Sequence, residues 1–132
     1  MSRTRSVPGP VPKKRGLHHV FAATGYSIGG LRVLWRQEAF RHELLVASVV
    51  FLLHALTGVS MVAILAQAIC FVILFAAEAI NTAVEHIVDH LSPEWSTFAR
   101  ETKDLGSAAV FCLLVANGGL AVGSWLLVLG VV

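Results

Sequence analysis

Charged residues are scarce in this chain and absent from two long stretches. Only 14% of the 132 residues are Asp, Glu, Lys or Arg, against roughly 25% in ordinary soluble domains. None of these four residue types occurs in residues 44–77 or 105–132. A water-soluble fold could not cover that much apolar surface, since 56% of the chain is hydrophobic. Because about 20 apolar residues cross a bilayer core, both stretches predict membrane spans.

Several common signatures are also missing. The chain has two cysteines, Cys70 and Cys112, one in each uncharged stretch, which favours small apolar packing residues over a disulfide framework or a metal site. Neither the G-x-x-x-x-G-K-S/T loop nor the H-R-D and D-F-G motifs of protein kinases occur, so a nucleotide would be held by another scheme. The first strongly apolar run begins too late for a secretory signal. The net charge is only +2, and we expect no nucleic-acid partner.

The first uncharged stretch is too long for one helix and contains a turn-forming Thr-Gly-Val-Ser cluster at residues 57–60. We therefore predict two spans, one at about 44–56 and one at about 61–89 with Ser60 as its N-cap. The first is short for a full crossing and should borrow length from the segment before it.

The loop after the second span leads to a third span. Ser92, Pro93 and Glu94 predict a helix start there, with a cap, a proline at the first position and an acid in the first turn. The third span is predicted at about 105–130. The chain is thus predicted to be an all-α membrane protein with three transmembrane helices.

The N-terminal part is predicted to form a tail and an amphipathic helix. Residues 1–16 combine basic residues with prolines, a composition that predicts a flexible basic tail attracted to anionic lipid. From residue 17 to about 42, apolar residues recur at helical spacing, while Gly25, Gly29 and Arg32 share another face. We predict a helix lying in the membrane interface. An amphipathic anchor without chemistry is the alternative.

The basic residues predict an orientation. All Lys and Arg residues except Arg100 and Lys103 precede the first span, and these two lie between the second and third spans. By the positive-inside rule, the N-terminus and the longer loop are predicted to be cytoplasmic. The uncharged turn at Gly58 then faces the opposite side.

The end of the second span carries acidic residues where charge is costly. Glu78, Asn81, Thr82, Glu85 and Asp89 have helical spacing and share one face of a continuous helix. Glu78 lies about 26 Å along the helix from its start, near the edge of the hydrocarbon. Carboxylates there cost several kcal/mol unless paired, metal-bound or protonated, so they are candidates for function. Polar bonds between helices are the alternative.

Basic residues and a further acid are available to this acidic face. The basic residues are Arg32, Arg36, Arg41 and Lys103. Salt bridges would explain any single pair, but acids and bases together with an Asn resemble a site for a divalent cation and phosphate oxygens. Glu38 continues the helical line of Ser27, Leu31 and Leu34, so we expect it to point inward toward Glu85.

Four blocks carry a resemblance to a known family. They are Gly25-Tyr26-Ser27 through Gly30-Leu31-Arg32, Glu38-Ala39-Phe40-Arg41-His42-Glu43, Glu78-x-x-Asn81-Thr82-Ala83-x-Glu85-x-x-x-Asp89, and Lys103-Asp104-Leu105-Gly106-Ser107-Ala108-Ala109-Val110. In these blocks the chain resembles the small bacterial integral-membrane diacylglycerol kinases, from about Leu17 onward. The resemblance implies an ATP-dependent, Mg²⁺-assisted lipid kinase of the bacterial inner membrane. It also implies a homotrimer whose protomers, each with three spans and an interfacial helix, share active sites.

The resemblance further implies roles for individual residues. Glu78 matches the catalytic base, Glu38 and Glu85 match the Mg²⁺ ligands, and Asn81 has a supporting place. Nucleotide-contacting positions match Tyr26, Glu38, Glu85, Glu94, Trp95, Ser96, Lys103 and Asp104. Positions lining the lipid site match Ser27, Arg32, Trp35, Phe40, Arg41, Glu78 and Ser107. The family's usual arginine eight residues before the matching serine is His19 here, so a protonated His19 or Arg15 is the candidate replacement for that ATP contact.

Two other functions remain open from the sequence. The first is phosphorylation of undecaprenol, although the Gly106-Ser107-Ala108-Ala109 block and the Phe40-Arg41 pair look more like the diacylglycerol branch. The second is a non-enzymatic proton relay through Glu78 and Glu85. Asn81, Lys103 and the separate Glu38 favour nucleotide binding over a relay.

Overall fold

The computed structural model describes residues 17–131, with side chains from residue 24 onward, and every regular element in this range is an α-helix. The helices are α1 (Leu17–Arg36), α2 (Glu38–Thr57), α3 (Met61–Leu91) and α4 (Thr97–Val128). The predicted tail at residues 1–16 lies outside the described residues. By its internal contacts the chain divides after Arg32 into two units.

Three of the four helices, α2, α3 and α4, are long and apolar enough to cross a membrane, which confirms the predicted all-α class with three candidate spans. They contain 20, 31 and 32 residues, or about 30, 46 and 48 Å at 1.5 Å per residue. Large apolar side chains along all three are exposed in the single chain, as at Leu52, Ile69 and Val115. Such faces suit contact with lipid or with other helices.

The turn between α2 and α3 has the predicted form. Gly58 ends α2 with φ 73° and its backbone N–H donates to His54 O. This left-handed conformation favours glycine because it has no Cβ. Ser60 then begins α3, and its hydroxyl accepts from the Ala63 N–H at 3.3 Å. The turn and the N-cap predicted from residues 57–60 are both confirmed.

The boundary between α1 and α2 lies earlier than the sequence pattern indicated. Gln37 is extended, with φ −75° and ψ 130°, so α1 ends at Arg36 and residues 38–43 begin the first span-bearing helix. Glu38 in the first turn of α2 is favoured by the helix dipole. The break interrupts the helical line that would place Glu38 with Ser27 and Leu31, and the Glu38 side chain is exposed.

The predicted helix start at Ser92 is wrong. The Ser92 N–H still donates to Val88 O, so Ser92 ends α3. Pro93 has no N–H to continue that helix. Ser96 is the N-cap of α4 instead, because its hydroxyl accepts from the Ala99 N–H at 3.1 Å. From Thr97, α4 continues without a break into the predicted third span.

The three long helices pack with α3 in contact with both others. Their apolar core contains Ala47, Phe71, Leu74 and Val110. A polar pair that the sequence analysis missed also ties α3 to α4, since Gln67 Nε2 donates to Asn117 Oδ1 at 2.8 Å. Interhelical hydrogen bonds of this kind contribute about 0.6 kcal/mol each within a membrane.

Candidate active site

The inner face of α3 carries the acidic residues predicted to share one side of a continuous helix. Glu78, Asn81 and Thr82 are buried, Glu85 is half-buried and Asp89 is exposed. The structure therefore confirms the shared face and adds a gradient of burial along it. The deepest carboxyl group is that of Glu78, which is only 5% exposed.

Glu43 of α2 is the acidic residue that the sequence analysis missed. It is also 5% exposed, and its carboxyl group lies close enough to that of Glu78 for the two to interact electrostatically. The helical spacing of Glu43 from Phe40 and Ala47 could have indicated its burial, because all three side chains lie on the buried side of α2. Two buried carboxyl groups that interact in this way are costly unless they are paired, bound to a cation or protonated.

Asn81 connects this acidic face to α4. Its Nδ2 donates to Glu85 Oε1 at 3.0 Å. Its Oδ1 faces Gly106 so closely that a Cβ at that position would overlap it. The missing Cβ of Gly106 thus leaves room for the amide orientation in which the nitrogen faces Glu85. Glycine often serves close helix packing in general. At Gly106, however, the atoms that a Cβ would meet are those of the Asn81 side chain.

A second feature of this end of the bundle is an open cavity of about 370 Å³ beside residues 92–96. The charged and polar residues that line it include Asp89, Glu94, Trp95, Ser96, Arg100 and Lys103. Lys103 Nζ forms an ion pair and hydrogen bond with Asp89 Oδ1. Four predicted nucleotide contacts therefore lie together, although no sequence signal predicted the cavity itself.

Asp104, Tyr26 and His19 are predicted nucleotide contacts that are not among the residues lining this cavity. Asp104 is exposed, pairs with Arg100 at 4.0 Å and lines a separate depression with Glu101 and Leu105. Tyr26 is exposed on the part of α1 that belongs to the first unit. The side chain of His19 lies outside the described residues.

The residues predicted to line a lipid site differ in burial. Phe40 is buried, and its ring meets that of Phe75 edge to face at 5.3 Å, so it packs α2 on α3. The remaining members other than Glu78 are exposed, namely Ser27, Arg32, Trp35, Arg41 and Ser107. Their accessibility in the single chain is compatible with contact to lipid, and their roles stay a prediction.

The described residues contain no group of three or more His, Cys, Asp or Glu side chains that could hold a metal ion. Magnesium does not need such a cage, since it is commonly bound by one or two carboxylates together with substrate phosphates. Glu85 fits this chemistry because it is half-buried and oriented by Asn81. Glu38 offers an accessible carboxylate at the start of α2.

Three membrane-length helices, two of which carry buried carboxyl groups, and a charged cavity beside the α3–α4 loop define a helical membrane protein with an acidic site between its helices. Residues 25–129 match the prokaryotic diacylglycerol kinase family. The chain belongs to this family and is a lipid kinase.

Curated relatives support the same assignment. A diacylglycerol kinase of Sinorhizobium is 47% identical over 110 residues, which cover 83% of this chain and 80% of the relative. The diacylglycerol kinase of Haemophilus influenzae is 35% identical over 107 residues, 80% of this chain and 91% of the relative. The diacylglycerol kinase of Escherichia coli K12 is 31% identical over 118 residues, which cover 86% of this chain and 91% of the relative.

The contact between Asn81 and Gly106 generates a first prediction. We expect Gly106→Ala to lower ATP-dependent lipid phosphorylation by roughly 10- to 100-fold, because the new methyl group displaces the amide that orients Glu85. The assay uses protein reconstituted in lipid. Gly118→Ala on the same helix is the matched control, since a Cβ at Gly118 meets nothing within 4 Å.

A double-variant cycle separates this explanation from general damage to helix packing. In an Asn81→Ala background, Gly106→Ala should cause little further loss, because the displaced group is already gone. An equal loss in both backgrounds would contradict the proposed role of the contact.

Proposed function

We propose that this chain transfers the γ-phosphoryl group of ATP to the hydroxyl group of diacylglycerol, forming phosphatidic acid at the cytoplasmic face of the bacterial inner membrane. The observation that carries the proposal is the buried carboxyl group of Glu78 on the same helix as Asp89, which lines the charged cavity. The two residues are about 16 Å apart along α3. A lipid hydroxyl and a water-soluble phosphate donor can each approach one part of such a site.

Glu78 is the proposed general base. In the transfer, the lipid oxygen bonds to the γ-phosphorus, the bond from that phosphorus to the ADP oxygen breaks, and the Glu78 carboxylate takes the hydroxyl proton. Its burial next to Glu43 in an apolar bundle supports this role, because a base must reach the hydroxyl group without water competing for it. The reaction otherwise needs positioning and neutralisation of charge.

The cavity beside residues 92–96 is the proposed nucleotide site. Its volume of about 370 Å³ falls in the range of roughly 300–1,000 Å³ typical of small-molecule sites. Lys103 and Arg100 supply positive charge, and the Trp95 ring is 78% exposed and can pack against a base. Lys103 would exchange its partner Asp89 for a phosphate oxygen. Tyr26, Asp104 and His19 stay proposed contacts on the strength of the family resemblance.

Glu38 and Glu85 are the proposed ligands of Mg²⁺. When bound with the nucleotide, Mg²⁺ would neutralise charge on the phosphate oxygens. Asn81 supports the role of Glu85 by donating to its Oε1. Glu38 is accessible in the single chain.

A homotrimer with shared active sites is the proposed assembly. The exposed apolar faces of the three long helices provide surface for contacts between protomers, and the family resemblance supplies the number three. The proposed orientation, with the N-terminus and the α3–α4 loop in the cytoplasm, rests on the distribution of Lys and Arg.

Of the alternatives, undecaprenol kinase keeps the same chemistry on a different lipid. The curated relatives carry the name diacylglycerol kinase, which favours diacylglycerol as the substrate. Membership in a family of lipid kinases argues against a non-enzymatic proton relay.

The base assignment predicts the behaviour of Glu78→Gln. Glutamine keeps the size of the side chain but cannot take a proton, so turnover should fall by roughly 10²–10⁴-fold while nucleotide affinity changes little. Glu101→Gln, an exposed acid on α4, is the control and should retain activity. Near-normal turnover in a well-assembled Glu78→Gln protein would disprove the assignment.

Crosslinking in lipid should show trimers for both the Glu78→Gln and the Glu101→Gln variants, and a strictly monomeric active species would contradict the proposed assembly.

The metal assignment predicts that Glu38→Gln and Glu85→Gln raise the Mg²⁺ concentration needed for half-maximal activity by at least roughly tenfold. Each change removes a carboxylate from a site with few protein ligands. The measurement is activity as a function of free Mg²⁺ at saturating ATP. Glu78→Gln is the comparison, since its residual activity should keep the Mg²⁺ dependence of the unmodified protein. An unchanged dependence in both metal-site variants would remove Glu38 and Glu85 from this role.

The substrate assignment predicts that diacylglycerol is phosphorylated more efficiently than undecaprenol. Initial rates are compared on one protein preparation in matched lipid mixtures containing either alcohol. A higher kcat/KM for undecaprenol would assign the chain to the undecaprenol kinase branch of the family. The proposed phosphoryl transfer from ATP would be unaffected.

A further inference from the structure

A second polar cluster lies at the turn end of the bundle, away from the candidate active site. Its members are His54 on α2 and Trp125 on α4, whose rings contact each other, and Gln67 on α3, which like His54 lies within about 9 Å of the turn along its helix. Both His54 and Gln67 are 0% exposed. Of the six buried side-chain nitrogen and oxygen atoms without a hydrogen-bond partner among the described residues, four belong to this cluster: His54 Nδ1, His54 Nε2, Gln67 Oε1 and Trp125 Nε1.

These four atoms are complementary as donors and acceptors. An indole nitrogen only donates, an amide oxygen only accepts, and a neutral imidazole does one of each. The amide of Gln67 is oriented, because its Nε2 donates to Asn117 Oδ1 at 2.8 Å and leaves Oε1 as the unpaired end. One neutral imidazole can therefore serve both neighbours, accepting from the Trp125 side and donating to the Gln67 side.

Neither lipid nor a second protomer can supply the missing partners. All four atoms are covered within one chain, although the Trp125 side chain as a whole is half-buried, so assembly of further copies brings no group to these atoms. Lipid tails offer no hydrogen bonds, and leaving buried polar atoms unpaired is costly. The His54 ring meets the Trp125 ring edge to face with centroids 5.5 Å apart, which places the two side chains against each other.

We propose that His54, Gln67 and Trp125 bind internal water between the three spans at the turn end of the bundle. Water links the Trp125 N–H to one imidazole nitrogen and the N–H on the other nitrogen to Gln67 Oε1. Buried waters typically make about three hydrogen bonds to polar groups that the protein leaves unpaired. The hydrogen bond of Gln67 with Asn117 already ties α3 to α4, and water at His54 extends that tie to α2.

The rival arrangement is dry. The imidazole or indole N–H would then point at the face of a neighbouring ring, as the edge-to-face contacts of His54 with Trp125 and Phe51 permit. Such N–H···π contacts are weak but recur in proteins. The two arrangements differ in whether magnetisation passes from water to the ring nitrogens.

The test is solid-state NMR of the full chain in lipid bilayers, with ¹⁵N-labelled His and Trp and transfer filtered through water. We expect water-to-ring transfer at both His54 and Trp125. A paramagnetic chelate in the aqueous phase identifies internal water, since it should broaden the indole signal of Trp95, 78% exposed, and spare that of Trp125. Absence of transfer at both sites, or loss of both signals to the chelate, overturns the proposal.

Three variants assign the signals and sharpen the result. His54→Phe keeps an aromatic ring but removes both nitrogens, and should abolish water transfer to Trp125. Trp125→Phe should weaken transfer to His54. Thr57→Val is the matched control, because the Thr57 hydroxyl bonds only to Leu53 O and His54 O of its own helix. Unchanged transfer at Trp125 in His54→Phe contradicts the shared water, and the spectrum of the unmodified chain decides the question even where a variant does not fold.

Discussion

Inside a bilayer, a polar side chain has to find its partner within the protein, because lipid tails provide neither donors nor acceptors. This constraint acts most strongly on α3, which has more buried polar side chains than α2 or α4. Its inner face carries Gln67, Glu78, Asn81 and Thr82, all buried. Rotating α3 by even one residue would turn these side chains out of their buried positions, so these polar groups fix how the helix faces its neighbours.

The acidic site follows from that fixed rotation. Gly106 lets α4 approach until the backbone lies against the Asn81 amide, and the amide then orients Glu85. From the other side, the buried phase of α2 brings Glu43 to Glu78. The site is therefore assembled from contacts between helices. A glycine, an amide and an acid that are far apart in the chain become neighbours because of packing.

The sequence was sufficient for features that depend on local chemistry. Span number follows from the uncharged runs, and Gly58 and Ser60 determine the turn from their own backbone and hydroxyl preferences. The acidic face of α3 follows from residue spacing alone. In contrast, Ser92 and Ser96 both suit a helix cap, and the choice depended on whether the Ser92 N–H remained bonded to Val88.

Contacts between helices were beyond sequence reasoning for the same reason. Glu43 has the spacing of a buried residue, but spacing does not reveal that Glu78 faces it. His54 precedes the turn in the sequence and Gln67 follows it, and no sequence motif contains both residues. The cavity beside residues 92–96 depends on the path of a loop that contains no recognised phosphate-binding pattern.

The unequal lengths of the helices have a consequence for how the protein fits bilayers of different thickness. α2 has 20 residues and α3 has 31, so with their adjoining ends held together by the turn, α3 extends about 16 Å further along its axis. α2 is about as long as the hydrocarbon core is thick and has no spare length. A thicker bilayer must therefore cover more of the part of α3 and α4 that extends beyond α2. A thinner bilayer must leave the first residues of α2 outside the hydrocarbon core. Bilayer thickness thereby sets how far below the membrane surface the buried carboxyl groups of α2 and α3 lie.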